Sequence, residues 1–220
     1  MNISSALRQR KSTRAFLPDP IARDTLESIF QLAIKSPSNC NVQPWQVYVA
    51  SGAALKSLSA ELLKEITSGT KPYPQIDWQV QFEGEMQERK FASAAALYDA
   101  MDIARDDKAA RKTALLRNWE FFGAPHAVFF TMERSLELAG AVDLGIFAES
   151  LSLAALEHGI SSCFQAALNQ FPGPILRKFH VPDSQIILFG MSLGYADESA
   201  PVNTTKTARE PLEKLVSFID

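Results

Sequence analysis

Between Leu138 and His158 the chain carries a long helical run whose apolar residues do not keep to a single stripe. Leu144, Phe147, Leu151, Leu153, Ala154 and Leu156 point in several directions around a 3.6-residue period, and Gly159 stops the run. Such a helix, starting at about Leu138 or Val142, must be buried on more than one side. Burial against both a sheet and a second subunit satisfies that pattern better than exposure does.

The other elements are shorter. Residues 3–9 read as a helix leading into the cationic stretch Arg10, Lys11, Ser12, Thr13, Arg14, and Pro18 and Pro20 break the chain after it. Leu26, Ile29, Phe30 and Ala33 recur at helical spacing from Ala22 or Arg23, and this helix ends before Pro37. Residues 37–44 form a loop. Residues 45–50 form a strand with Val47 and Val49 on one face. A helix follows over 53–66, through Leu55, Leu58, Leu62 and Ile66.

Residues 68–78, with Gly69, Pro72 and Pro74, read as an exposed connector. Residues 79–110 read as a charged, mostly helical excursion around 68–110 from the single domain 1–220. A helix is expected over 109–122, a strand over 127–132, a short helix ending at Phe179, and a strand over 184–193 closed by Gly194. Residues 215–219 alternate and could pair at a sheet edge, in their own chain or across a dimer. Three or four strands mixed with five or more helices make an α+β chain rather than a regular βαβ repeat.

At 220 residues and 46% hydrophobic content, the chain can bury the core of one domain. Its net charge of -3 argues against a nucleic-acid footprint, which needs a strongly basic face. The run Met1, Asn2, Ile3, Ser4, Ser5 lacks a signal peptide's apolar stretch, and no segment is expected to reach the length of a membrane span. Two cysteines, Cys40 and Cys163, form neither a metal motif nor a disulfide framework, so a reduced cytoplasmic setting is expected. The 14 phenylalanines, paired at Phe121-Phe122 and Phe129-Phe130, read first as core.

Two segments carry candidate chemistry. Arg10 offers a planar fork of donors for a phosphate, Ser12 a hydroxyl, and Arg14 a second charge for the same ligand. A basic cluster near a terminus is more often solvated surface, and no Gly-rich phosphate loop accompanies this one. The amides of Asn39, Asn41 and Gln43 supply donors and acceptors suited to the edge of a flat heterocycle, on a backbone stiffened by Pro37 and Pro44. Those amides could equally serve their own loop. His126, His158 and His180 have no nucleophile paired to them by spacing, Cys163 reads as a buried thiol, and no acidic cluster forms a metal site.

These stretches together resemble the nitroreductase family of FMN enzymes. The 10–14 segment matches its N-terminal signature, and residues 37–45 match its flavin loop. Residues 117–125 and Asp143-Leu144-Gly145 look like the subgroup that includes nitrobenzoate reductases. Residues 159–165, Gly190, Gly194 and Arg209 extend the likeness over nearly the whole chain. The resemblance implies a three-layer α+β fold, with a central, mainly antiparallel sheet flanked by helices, in an intertwined homodimer with flavins at the interface.

It also implies ping-pong transfer of electrons from NADH or NADPH through FMN to a small aromatic acceptor, nitroaromatics first. Quinone or enone reduction, dehalogenation, or flavin storage are the alternatives on the same scaffold. The cofactor-binding set it implies is Arg10, Lys11, Ser12, Arg14, Pro37, Ser38, Asn39, Asn41, Asn118, Gln165, Ala166, Ala167 and Arg209. Of these, Arg10, Ser12 and Arg209 would serve the phosphate, and Gln165 to Ala167 a backbone donor near flavin N5. No side chain is assigned as catalytic acid or nucleophile. Gly140-Ala141-Val142 and Phe164 depart from the subgroup pattern, which often has tryptophan and proline there, and both bear on the acceptor pocket.

Overall fold

The computed structural model describes residues 1–76 and 80–219. Asp77, Trp78, Gln79 and Asp220 lie outside the described residues, and with them the end of the expected connector and the start of the expected excursion. Four strands build one sheet: β1 (Gln46–Ser51), β2 (His126–Glu133), β3 (Ser161–Gln165) and β4 (Gln185–Gly194). Their order is β1-β2-β4-β3, and every neighbouring pair is antiparallel. Seven of the eight β2 residues are buried, because both faces of the sheet are covered.

The alternation along β2 sorts its side chains into two layers. Val128, Phe130 and Met132 enter a core shared with α2 (Arg23–Ala33) and α6 (Glu137–Glu157). Ala127 and Phe129 enter a second core with α3 (Gly52–Thr67) and α7 (Pro172–Phe179). The result is helices, sheet, helices. A one-residue register skip between Phe130 and Thr131 opposite β4 tightens the local twist. Gly190 on β4 is required by close approach, since a side chain there would collide with Leu168 and the Val128 carbonyl oxygen.

Helix α6 explains its own sequence. Leu144, Phe147, Ala148, Leu151 and Ala155 are fully or nearly fully buried against α2, β2 and β3, while Leu138, Val142 and Ile146 form an exposed apolar stripe at four-residue spacing. The expectation that no segment reaches the length of a membrane span needs correction. Residues 134–157 are long and apolar enough, with mean hydropathy 1.5 over the best window. The apolarity has another cause here, because one flank of the helix is packed into the core and it carries the buried Asp143.

Three further differences have physical reasons. The helix expected over 109–122 is α5 (Lys108–Leu116) and ends early, because Phe121, Phe122 and Gly123 take left-handed conformations. Strand β3 was not anticipated, since its polar start hides the alternation. Among the described residues, 215–219 pair with no strand of their own chain; α8 (Leu212–Leu215) comes first and Phe218 and Ile219 stay exposed. In the region around 68–110, α4 (Gly84–Ala100) has no buried residue, and Asp107 caps the start of α5 by accepting from the Ala110 N–H at 2.9 Å.

Candidate functional site

Helix α1 (Ile3–Gln9) is capped by Asn2, whose side chain accepts from the Ser5 N–H, and the chain then runs extended beside β3. The Thr13 N–H donates to the Ser162 carbonyl at 3.0 Å, which sets the register of the whole segment. Thr13 turns inward and is fully buried. Ser12 and Arg14 are left on the other side, facing a cavity of about 640 Å³.

That cavity gathers residues from three distant places. Arg8, Arg10, Lys11, Ser12 and Arg14 come from the N-terminus, Ser93 from α4, and Thr205, Lys206, Thr207 and Arg209 from the C-terminal segment. Asn203, buried and not anticipated from the sequence, holds the two ends together. Its Oδ1 accepts from the Arg14 N–H at 2.8 Å, and its Nδ2 donates to the carbonyls of Ala15 (2.8 Å) and Asp197 (2.9 Å). No local pattern around Asn203 announces this role, because its N-terminal partners Arg14 and Ala15 lie nearly 190 positions away.

The charges are only partly offset. Arg10 Nε stands 3.6 Å from Glu149, and Lys11 Nζ stands 3.4 Å from Glu198. Burial pushes the Glu149 carboxyl above its ordinary range, while the Arg10 charge pulls the other way. Arg209 folds onto its own neighbours, donating to the Thr207 hydroxyl and Ala208 carbonyl at 3.0 Å each. Beneath this segment, Cys163 is buried and its thiol is pushed up to about 11 by desolvation, with Arg14, Ser12 and Arg10 pulling down less strongly. It is a neutral thiol and an unsuitable nucleophile.

Arg14 also lines a second, smaller cavity of about 130 Å³, with apolar walls from Leu97 and Tyr98 of α4, Met101 just after it, Leu115 of α5, and Phe122. Asn118 and Arg117 complete it. The turn carrying Asn118 and Phe122 is fixed from below. Buried Gln165 donates from Nε2 to the Asn118 carbonyl at 2.8 Å, and its Oε1 accepts from the Ser192 hydroxyl at 2.5 Å. Ser192 is also within 2.9 Å of the Phe121 carbonyl, and Ser59 donates to the Trp119 carbonyl at 2.9 Å. The side chain of Gln165 is therefore occupied by the fold, which leaves only its backbone for a ligand.

The 37–43 loop lies elsewhere in this chain, against α6. The Asn39 N–H donates to both oxygens of buried Asp143, at 3.1 and 3.2 Å, and the Gln43 N–H donates to the Ser38 hydroxyl at 2.9 Å. Trp45 stacks on Phe147 with ring centroids 5.0 Å apart. Cys40, Asn41 and Gln43 all have positive φ. Of the sequence-expected residues, Arg10, Lys11, Ser12, Arg14 and Arg209 share one cavity and Asn118 shares the next. Pro37, Ser38, Asn39, Asn41, Gln165, Ala166 and Ala167 line neither.

Among the described residues, the buried histidine offers no hydrolytic arrangement. His126 Nε2 accepts from the Ile21 N–H at 2.9 Å, which leaves the proton on Nδ1, 2.6 Å from the Ser51 hydroxyl. In that tautomer the ring donates to Ser51 and cannot act as its base. Burial lowers the His126 pKa and keeps it neutral. Among the described residues, no group of three or more His, Cys, Asp or Glu could hold a metal ion.

Comparison with known proteins places this geometry. Residues 7–195 match the Nitroreductase family. The chain is 35% identical to nitroreductase NfnB of Mycolicibacterium smegmatis over 215 residues, covering 96% of this chain and 90% of that one. It is 34% identical to a 4-nitrobenzoate reductase of Pseudomonas putida over 218 residues, covering 99% and 96%. Among solved structures, the FMN and NADPH-dependent nitroreductase NfnB from Sphigopyxis sp. strain HMH superposes with a TM-score of 0.97 at 32% identity, over the full length of both chains.

Proposed function

The chain belongs to the nitroreductase family, and from that premise we propose that it is an FMN-dependent oxidoreductase that takes electrons from NADPH or NADH and passes them to small nitroaromatic acceptors. The observation that carries the reading is the convergence of Arg10, Lys11, Ser12, Arg14 and Arg209, drawn from the two ends of the chain, on one cavity. That donor set suits a phosphate monoester, and Arg14 continues from it into an adjoining apolar cavity suited to aromatic groups. When bound, FMN supplies the two-electron carrier between donor and acceptor.

The chain's own residues bind and orient. Arg10 and Arg209 pair with the phosphate, with Lys11 adding charge and Ser12 a hydroxyl donor. Arg14, which lines both cavities, would hold a fixed positive charge near a bound flavin and so would favour its electron-rich state. Backbone groups of Gln165, Ala166 and Ala167 would serve the ring edge of a bound flavin, held rigid by the Gln165 side-chain clamp. Asn118 lines the acceptor side with Phe122.

The amide-rich loop completes the site from a second copy. Pro37, Ser38, Asn39 and Asn41 lie outside their own chain's cationic cavity, so the homodimer brings a partner's loop to it. Exposed Leu138, Val142 and Ile146 on α6, with Ile3 and Leu7 on α1, supply the apolar face for that association. Exposed Val216, Phe218 and Ile219 suit the groove that Phe30, Ile34, Val47 and Val49 line beside the edge strand β1.

Purified protein should carry a flavin absorbance spectrum, bleach anaerobically on addition of a reduced nicotinamide, and recover on addition of a nitroaromatic. A folded protein that binds no FMN would overturn the proposal, and one that binds FMN but resists both donors would be a flavin store. For the site itself, Arg209→Ala should weaken FMN binding about tenfold or more, as expected for a lost charge-assisted pair. Unchanged affinity by titration removes Arg209 from the phosphate set.

A further inference from the structure

The cationic cavity holds more charge than one phosphate requires. Six cationic side chains line it: Arg8, Arg10, Lys11, Arg14, Lys206 and Arg209. Carboxylates offset two of them, Glu149 at Arg10 and Glu198 at Lys11. Among the described residues no carboxylate lies within ion-pair distance of Arg8, Arg14, Lys206 or Arg209. A phosphate monoester brings a charge of about -1.5 to -2 near neutral pH, so one such group leaves roughly two positive charges over. The cavity, at about 640 Å³, is also far larger than a single phosphate group.

The surplus has a location. Arg14 is shared with the apolar cavity and Arg209 is tied to Thr207 and Ala208. Arg8, on the last turn of α1, and Lys206, between Thr205 and Thr207, are the exposed cations that remain. Fixed like charges sharing one cavity repel one another, and a second dianion relieves that repulsion.

We propose that Arg8 and Lys206 form a subsite for a second phosphate monoester, the 2′-phosphate of a phosphorylated nicotinamide donor. The inference rests on the functional reading above and deepens it. The pyrophosphate bridge is common to both nicotinamide donors and carries one charge per phosphorus. Only the 2′-phosphate is a terminal monoester, and its charge matches the surplus. The subsite selects NADPH over NADH without touching the reacting ring.

The test uses full-length, FMN-loaded protein and the exposed-site variants Arg8→Gln, Lys206→Gln and their combination. Adenosine 2′,5′-bisphosphate and 5′-AMP are titrated by calorimetry, and kcat/KM is measured with NADPH and NADH. The double variant should lose about tenfold or more in bisphosphate affinity and in kcat/KM for NADPH, with NADH and 5′-AMP changed by less than about twofold and FMN content unchanged. Equal losses for both donors would reduce the surplus to general steering and overturn the subsite. Loss of FMN would assign these cations to the cofactor instead, and no loss at all would leave them solvated surface; either result overturns it. Wild-type protein holding no FMN would sink the functional reading, while bisphosphate titration of that same protein would still decide the subsite.

Discussion

Two of the turns that contain left-handed residues other than glycine are held in opposite ways. The 118–123 turn puts Phe121 and Phe122 at φ of 52° and 55°, buries both rings, and is clamped from inside by Gln165, Ser192 and Ser59. The 37–43 loop puts Cys40, Asn41 and Gln43 at φ of 48°, 57° and 48°, leaves them exposed, and is held by Asp143, Ser38 and the stacking of Trp45. Backbone of this kind costs on the order of 1–3 kcal/mol per residue and persists only where the surroundings over-determine it. The buried turn is over-determined by its own fold. The exposed loop leaves Asn39, Asn41 and Gln43 at the surface, as expected of a segment that finishes its contacts on something else.

Perturbing each anchor should separate the two. The largest effect is expected for Gln165→Leu, which strands the Asn118 carbonyl and removes a partner of Ser192 in the core. A loss of about 3 kcal/mol is expected, or roughly 10 °C in the thermal midpoint. A drop of less than about 1 kcal/mol would mean that the aromatic packing alone holds this turn. Asp143→Ala should cost less, about 2 kcal/mol, because the Asn39 N–H it releases lies at the edge of an exposed loop. Faster amide exchange confined to residues 39–43, together with weaker FMN retention, is the expected signature. Global loosening instead would erase the contrast between the two turns.

The smallest effect concerns His126, a clamp of the buried type that can titrate. It accepts from the Ile21 N–H only while neutral, and burial lowers its pKa. The unfolded chain therefore takes up the proton first. Stability should be full above about pH 6.5, fall as the pH drops from there, and level off below the lowered folded value. In chemical denaturation across pH 5 to 8, His126→Gln should flatten that part of the profile. An unchanged slope would show that some other group carries it.

The elements with clean periodicity were legible in the residue order. The apolar run ending at Gly159 became α6, the spacing of Leu55, Leu58 and Leu62 became α3, and the valines of β1 do share a face. The cationic segment at 10–14 was a candidate on its residues but read first as solvated surface until the resemblance favoured it, and the distant Arg209 was singled out only through the resemblance. Strand β3, the early end of α5 and the role of Asn203 were not legible. Each depends on partners far along the chain: β4 for the first, Gln165 and Ser192 for the second, Arg14 and Ala15 for the third.

Local propensity and burial pattern thus determined which stretches are helical, which are apolar on every side, and where the chain must turn. These follow from short-range sterics and the removal of apolar surface from water, both written residue by residue. Only the tertiary structure decided that the two ends of the chain share a cavity, that six cations crowd it with two carboxylates, and that the amide-rich loop lies outside it. Those outcomes depend on hydrogen bonds and charges whose strength is set by distance and burial, and residue order alone specifies neither.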